Sequence, residues 1–167
     1  GEGGAVTTHD EGLAQKIKIL REHGQARKYF HEIEGFNGRL HAIQARFLSI
    51  KLKHLDGWNE ARRANAGKYD EALKGIPSLR LPGVRREAEP IWHLYVVETP
   101  GRDELMKFLG ERGISAGLHY PFPLHLIPAY AHLGYREGAF PNAERSCREL
   151  LSLPMFPELT DEQIAWV

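Results

Sequence analysis

The side chain best suited to bind a charged ligand is that of Asn37, which lies in the short segment Gly-Phe-Asn-Gly at residues 35–38. An asparagine offers both an amide donor and a carbonyl acceptor, and flanking glycines let the backbone present it. An apolar helical pattern begins directly afterwards at Leu40, and the exposed N–H groups of a helix N-terminus attract phosphate. Gly-x-Asn segments are also common plain turns, so Asn37 is either a ligand-binding amide or a turn former.

A second group of side chains suited to ligand binding lies in residues 119–125, His-Tyr-Pro-Phe-Pro-Leu-His. A strand is predicted to end at His119 and Tyr120, and the two prolines stiffen the loop that follows, so a side chain facing a ligand would be held rigidly. His119 is suited to binding a hydroxyl or a carboxylate group of a ligand. The alternative is a structural role. His119 and His125 together also allow a zinc site, but no third ligand lies nearby and the chain has a single cysteine, so we predict no metal.

The composition is that of an ordinary globular protein. In 167 residues, 22 basic and 22 acidic side chains balance to a formal charge of zero, and 42% of residues are hydrophobic. No block of like charge indicates a nucleic-acid or membrane surface, and no apolar run approaches the roughly 20 residues that span a bilayer. No signal-peptide pattern is visible, so we expect a cytoplasmic protein with no nucleic-acid or membrane partner.

The elements that must position Asn37 are predicted from the first half of the chain. Glycines at residues 1–4 predict a turn that runs into a strand over residues 5–8. A capping-box pattern with Thr8 as N-cap predicts a helix that stops near Gly24. Residues 25–38 are polar and aromatic without periodicity and are predicted to be a loop.

A long helix is predicted next. Apolar residues recur at spacings of three and four from residue 39 to residue 73, and Gly57 and Gly67 are the places where the helix is expected to bend or break. The rest of the chain predicts a small α/β domain of interleaved strands and helices. Its strands are expected at residues 79–81, 91–98, 114–119 and 152–155. Its first helix is expected at residues 103–112, with Leu105, Phe108 and Leu109 facing inward and Gly113 ending it. Its second helix is expected at residues 141–151, with Pro141 in the first turn, and its last from residue 161 onward, with Thr160 and Gln163 as a capping pattern.

At this point the chain resembles the DegT/DnrJ/EryC1/StrS family of sugar aminotransferases, nearly end to end. The segment from Gly35 through Gln44-Ala45 carries the strongest likeness. The other matching segments are Gly-Gly-Ala-Val-Thr-Thr (3–8), His-Gly-Gln (23–25), Lys-Tyr-x-His (28–31), Lys-Leu-x-x-Leu-Asp-x-Trp-Asn (51–59), Gly-Leu-His-Tyr-Pro-x-Pro-Leu-His (117–125) and Leu-Pro-Met-Phe-Pro (153–157). The ordered set is more specific than any one motif.

The resemblance implies the fold and organisation of part of a fold type I aminotransferase. Residues 1–38 would be the end of the large domain, which binds pyridoxal 5′-phosphate (PLP), residues 39–75 a connecting helix, and residues 76–167 the small C-terminal α/β domain. The Schiff-base lysine of the family would lie upstream of Gly1, because no lysine of the chain matches its context. We therefore expect a fragment that contains no catalytic nucleophile and is inactive by itself.

The resemblance also implies roles for individual residues. Asn37 would donate to the phosphate of a PLP held by the other subunit of a homodimer with composite active sites. Arg39 would add charge there or tie the loop to the helix, and a solvated or helix-capping arginine is the alternative. Tyr29 and His31 lie in the same loop and would contact the sugar nucleotide, with plain packing as the alternative. Substrate-contacting residues of the family also fall at His119, Tyr120 and His125.

The function implied by the resemblance is the transfer of an amino group from an amino acid, with glutamate expected, to the keto group of a nucleotide-linked sugar. The alternative from another class is a non-catalytic module that dimerises or binds a sugar nucleotide and performs no chemistry. Visible absorbance that borohydride removes would distinguish the two in the isolated chain.

Overall fold

A computed structural model of the protein describes residues 3–167, and the chain divides into two units, Gly1–Leu55 and Asp56–Val167. The turn predicted at residues 1–4 lies partly outside the described residues. No strand forms over residues 5–8, where one was predicted, and Val6 is 69% exposed. That prediction was wrong because β-branched residues form a strand only where a partner strand accepts their backbone hydrogen bonds.

The first helix, α1, spans Glu11–Arg21. Its N-cap is Asp10, whose Oδ1 accepts a hydrogen bond from the backbone N–H of Leu13 at 2.9 Å. The prediction of Thr8 as N-cap was wrong: the Thr8 hydroxyl oxygen accepts from the N–H of Asp10 at 3.1 Å and so supports the cap residue. A carboxylate at the N-cap satisfies a free N–H and interacts favourably with the helix dipole.

Residues 25–38 were predicted to be a loop, but they contain a small antiparallel hairpin. Strand β1 spans Gln25–Arg27 and β2 spans Phe30–His31. Tyr29 adopts a φ of 69° in the connecting turn, and the Gln25 side-chain oxygen accepts its N–H at 2.8 Å. The strands are too short for an alternating apolar pattern to reveal them.

The long helix predicted over residues 39–73 is two helices, α2 (Ala42–Leu52) and α3 (Leu55–Leu73). The helix is interrupted at Lys53 and His54, where the N–H of His54 donates to the carbonyl of Lys51, only three residues back. Gly57 and Gly67 do not interrupt the helix and lie inside α3. Their cost of about 1 kcal/mol each is tolerated because α3 buries other residues in the core.

The sheet of the second unit is antiparallel and has two strands, β3 (Tyr95–Glu98) and β4 (Leu150–Leu153). Isolated antiparallel β-bridges extend the sheet on both sides, one between Arg80 and Glu98 and one between Gly117 and Ser152. The strands predicted at residues 79–81 and 114–119 are therefore reduced to one bridge each. The strand predicted from residue 91 forms only from Tyr95, and the strand predicted from residue 152 starts at Leu150.

Helices α4 (Arg102–Glu111), α5 (Pro141–Glu149) and α6 (Asp161–Trp166) complete this unit. Two short 3-10 helices, Leu124–Leu126 and Pro128–Leu133, precede α5. The prediction of Thr160 as the N-cap of the last helix is confirmed, since its side chain and that of Gln163 form a reciprocal capping box.

The core of the second unit packs helix α3 and the later helices against the sheet; its most buried members are Ala66, Tyr69, Tyr95, Val97 and Leu151. In α4, Leu109 is buried as predicted. Phe108 is instead 48% exposed, and the guanidinium of Arg112 covers one face of its ring at 3.5 Å from the ring centre. Among residues 3–167, the helices are too short or too polar to cross a bilayer.

Candidate functional site

The backbone of the Asn37 loop is tied to the end of α1. The N–H of Phe36 donates to the carbonyl of Leu20 at 2.7 Å, and the N–H of Gly38 donates to that of Arg21 at 2.9 Å. The backbone of Asn37 forms an isolated antiparallel β-bridge with that of Glu22. Two of the carbonyl groups at the end of the helix, those of Leu20 and Arg21, therefore accept hydrogen bonds from the loop, which fixes the loop in place.

The side chain of Asn37 is exposed, and its Oδ1 accepts a hydrogen bond from the Arg39 guanidinium at 3.2 Å. The same guanidinium lies 3.8 Å from the Glu22 carboxylate and 3.4 Å from Nε2 of His23. Arg39 thus ties the loop to the residues that follow α1. Because the internal bond engages the oxygen of Asn37, the amide NH2 is the part of the side chain suited to an anionic ligand.

His23 connects the residues predicted in this loop, and the sequence reasoning assigned it no role. Its carbonyl accepts a hydrogen bond from Nδ1 of His31 at 2.7 Å, and its ring contacts Arg39. Its φ of 60° is unusual for a residue with a side chain. The motif His-Gly-Gln was the only sequence signal that pointed to it.

Tyr29 is separate from these contacts. It is 81% exposed at the tip of the hairpin, where the Lys28 ammonium lies 5.0 Å from the centre of its ring. The structure therefore brings together Asn37, Arg39 and His31 through His23, and it does not bring Tyr29 to them. An exposed tyrosine remains available to a ligand or a second chain.

In the second unit, His119 is exposed where the chain leaves the sheet. Its Nδ1 lies 2.9 Å from the hydroxyl of Ser152, a residue of β4 that is 4% exposed. Tyr120 follows with 72% of its surface exposed, and its ring meets that of His119 edge to face at 5.6 Å. One end of the proline-rich loop is thus anchored on the sheet through an imidazole.

The other end of the loop is anchored by His125, whose Nε2 donates to the Glu144 carboxylate at 2.9 Å. Both side chains are buried, with 8% and 5% of their surface exposed. The carboxylate also accepts from the backbone N–H groups of Gly138 and Phe140 at 2.9 and 3.2 Å. The Gly138 N–H, followed by those of Phe140 and His125, lowers the pKa of Glu144 in spite of its desolvation.

The proline-rich loop and α5 enclose an open, almost wholly apolar cavity of about 900 Å³. Its lining includes all three predicted residues of this loop together with residues of α5; the side chains that define it are His119, Tyr120, Phe122, His125, Phe140 and Cys147. Ser152 and Glu144 were missed by sequence reasoning, because each acts through a residue 33 or 19 positions away. Within residues 3–167, no cluster of three or more His, Cys, Asp or Glu side chains is arranged to hold a metal ion.

Comparison with protein families gives a match over residues 1–167 to the DegT/DnrJ/EryC1/StrS aminotransferase family. The chain is 47% identical over 98% of its length to a dTDP-3-amino-3,4,6-trideoxy-alpha-D-glucose transaminase of Streptomyces venezuelae, of which it covers 43%. It is 45% identical over its whole length to a pleiotropic regulatory protein of Geobacillus stearothermophilus, of which it covers 45%. The chain therefore spans less than half the length of these relatives.

Two solved structures show the same likeness. The crystal structure of DesV from S. venezuelae matches 94% of the chain with a TM-score of 0.90 and 45% identity. A DegT DnrJ EryC1 StrS aminotransferase from Brucella abortus matches 94% with a TM-score of 0.86 and 35% identity. In each case the match covers 42% of the solved chain.

Proposed function

The chain belongs to the DegT/DnrJ/EryC1/StrS aminotransferase family, and we propose that it is the C-terminal part of a PLP-dependent enzyme that aminates a nucleotide-linked keto sugar. The membership confirms the family and the α/β fold class predicted from the sequence, that of part of a fold type I aminotransferase. The observation that carries the functional proposal is the 47% identity to a transaminase of a dTDP-linked sugar.

The residues of the Asn37 loop fit a phosphate-bearing cofactor. The amide NH2 of Asn37 is a donor on an exposed, backbone-anchored loop, and the Arg39 guanidinium lies beside it at 3.2 Å. A donor and a nearby positive charge together suit a phosphate oxygen. Bound PLP supplies an electron sink and holds the amino group between the two half-reactions. The chain's own contribution is to bind and orient the phosphate.

We propose that this contribution is made to the cofactor of a partner subunit. Asn37, Arg39 and Tyr29 are all exposed, so the loop presents its polar groups outward. The Schiff-base lysine would then come from a part of the full-length protein outside residues 1–167. A homodimer with two composite sites follows from this arrangement. In it, residues 1–38 are the end of the large domain, residues 39–75, which contain α2 and α3, are the connecting segment, and residues 76–167 are the small domain.

On the substrate side, we assign the proline-rich loop to the sugar nucleotide. His119 has its Nδ1 engaged by Ser152, which leaves Nε2 for a sugar hydroxyl or carboxylate. Tyr120 presents a phenol at the mouth of the cavity, and His125 keeps the loop against α5 through Glu144. We also propose that Tyr29 and His31 contact the sugar nucleotide. We also propose that glutamate is the amino donor and that the enzyme is cytoplasmic.

The test is an amination assay of the full-length enzyme with dTDP- and UDP-linked keto sugars, glutamate and PLP. We expect an amino sugar from the full-length enzyme and none from the 167-residue chain at any PLP concentration, because the lysine is absent from it. Addition of the missing part in trans should restore activity. A folded, PLP-loaded full-length dimer that aminates no keto sugar would contradict the proposal, and borohydride-sensitive colour in the 167-residue chain would contradict the placement of the lysine.

A further inference from the structure

His31, His119 and His125 each bond through one ring nitrogen, and the partner is of a different chemical kind in each case. His31 bonds through Nδ1 to a backbone carbonyl at 2.7 Å, and His125 bonds through Nε2 to a carboxylate at 2.9 Å. His119 bonds through Nδ1 to the hydroxyl of Ser152 at 2.9 Å. The partner decides which nitrogen carries the proton of a neutral imidazole.

A carbonyl and a carboxylate can only accept, so the proton of His31 is held on Nδ1 and that of His125 on Nε2. A serine hydroxyl both donates and accepts. His119 therefore keeps its bond to Ser152 in either tautomer, because the hydroxyl rotates from acceptor to donor when the ring proton moves from Nδ1 to Nε2. Of these three rings, only that of His119 can present either polarity at its other nitrogen.

The position of the His119 ring is prepared by the backbone around it. Ser152 is buried in β4, and it exchanges two backbone hydrogen bonds with Gly117 at 2.8 and 3.0 Å. A Cβ atom on Gly117 would lie 2.9 Å from Cε1 of the His119 ring, which is closer than side chains pack. The imidazole thus occupies the space that a side chain at residue 117 would fill, and Ser152 holds it there.

We propose that Ser152 and Gly117 are positioning residues that hold His119 at the cavity mouth as a histidine able to donate or accept through Nε2. This proposal rests on the proposed function, in which His119 faces the sugar nucleotide. A keto oxygen only accepts a hydrogen bond, whereas a hydroxyl donates and accepts. A ring nitrogen of variable polarity suits a site that must bind sugars bearing both groups.

The first test is the ¹⁵N NMR spectrum of the histidine rings in the 167-residue chain at about pH 8.5, where imidazoles are neutral. His31 and His125 supply internal references for the Nδ1–H and Nε2–H tautomers. We expect the His119 signals to fall between these references in the wild type. Ser152→Ala should shift them and average the side-chain rotamers, and Ser152→Thr should restore both, because threonine keeps the hydroxyl.

Tyr69→Phe is the matched control, since it also removes one hydroxyl bond, from Tyr69 to the carbonyl of Pro154 at 3.0 Å, without touching His119. It should leave the His119 signals in place. His119 signals that coincide with either reference in the wild type, or that do not move in Ser152→Ala, would overturn the proposal. Both outcomes are independent of whether the full-length protein is an aminotransferase.

The second test uses the full-length enzyme. Ser152→Ala should lower kcat/KM for the sugar nucleotide about tenfold, mainly through KM, as expected for the loss of one positioning hydrogen bond. Gly117→Ala should lower it at least as much, and Ser152→Thr should retain most of it. An unchanged kcat/KM in a folded Ser152→Ala enzyme would overturn the positioning role. An inactive wild type would instead contradict the proposed function, and the NMR result would still decide the state of His119.

Discussion

The backbones of Gly24 and Gly35 lie in direct contact in the first unit. A Cβ atom on Gly35 would fall 2.8 Å from Cα of Gly24, and one on Gly24 would fall 3.4 Å from the backbone nitrogen of Gly35. Gly24 also adopts a φ of 76°, which disfavours any side chain. This contact brings the Asn37 loop against the residues that follow α1, so two glycines determine where the cofactor-binding candidate lies.

Gly35→Ala should release this loop. The added methyl group forces the backbones apart, and overpacking of this kind typically costs about 1–3 kcal/mol. We expect faster amide hydrogen exchange at Phe36 and Gly38, whose N–H groups bond to the end of α1. Gly57→Ala is the control, because apart from its chain neighbours and the backbone of its own helix no atom lies within 4 Å of its Cβ position, and alanine favours a helix. Unchanged exchange rates in Gly35→Ala would show that the contact does not hold the loop.

Asn37→Ala in the full-length enzyme should weaken PLP binding. A hydrogen bond to a charged group contributes roughly 1.5–3 kcal/mol, which corresponds to about a tenfold to hundredfold higher dissociation constant. If Asn37 only forms a turn, the melting temperature of the apo-enzyme falls and the PLP affinity does not. Measuring both quantities on the same variant separates the two roles.

Mixed dimers test whether Asn37 acts on its partner's cofactor. One subunit carries Asn37→Ala and the other lacks its Schiff-base lysine. If the two residues act from opposite chains, both mutations fall in the same site and the second site stays intact, so about half of the activity should remain. If Asn37 acts within its own chain, both sites are damaged and the activity should collapse.

Glu144 should make the second unit sensitive to acid. Folding lowers the pKa of Glu144 from its ordinary value of 4.5, so its carboxylate contributes stability above pH 4.5 and this contribution is lost as the pH falls through the lowered pKa. Glu144→Gln should therefore lower the melting temperature at about pH 7, and the gap to wild type should close in acid. Glu71→Gln, at a carboxylate that is 80% exposed, is the control. A gap that is constant down to about pH 3 would contradict the electrostatic origin.

The 167-residue chain should associate through α2. Ile43, Phe47 and Leu52 are 68%, 62% and 68% exposed on this helix, and exposed apolar faces of this kind favour association. Light scattering at micromolar concentration should give more than a monomer, and Phe47→Ser combined with Ile43→Ser should reduce it. Arg46→Ser, on the same helix, should not. A monomeric wild type would show that these side chains are covered in another way.

Local signals in the sequence were sufficient for the features that depend on neighbouring residues. The Thr160 capping box, proline at the start of α5 and glycine after α4 were all predicted, because each needs contacts only within one turn of the helix. The family likeness also supplied the site candidates, including Asn37 and His119. Their roles toward a ligand stay predictions.

Features that depend on distant partners were not predictable in the same way. Within residues 3–167 no strand forms where one was expected over residues 5–8, and the helix expected over residues 39–73 breaks at residues 53–54 rather than at a glycine. Backbone propensity does not say which strands will meet, and the hairpin of residues 25–31 shows no periodicity to reveal it.

The sequence by itself therefore determined the family, the α/β class and the polar residues that can bind a ligand, because residue types and their order along the chain carry that information. Only the tertiary structure decided how those residues are held. It brought Ser152 to His119 and Glu144 to His125 across 33 and 19 positions, and it placed Gly24 against Gly35. Hydrogen bonds and close backbone contacts act over a few ångströms in space, so the fold must bring distant residues together before their partners are defined.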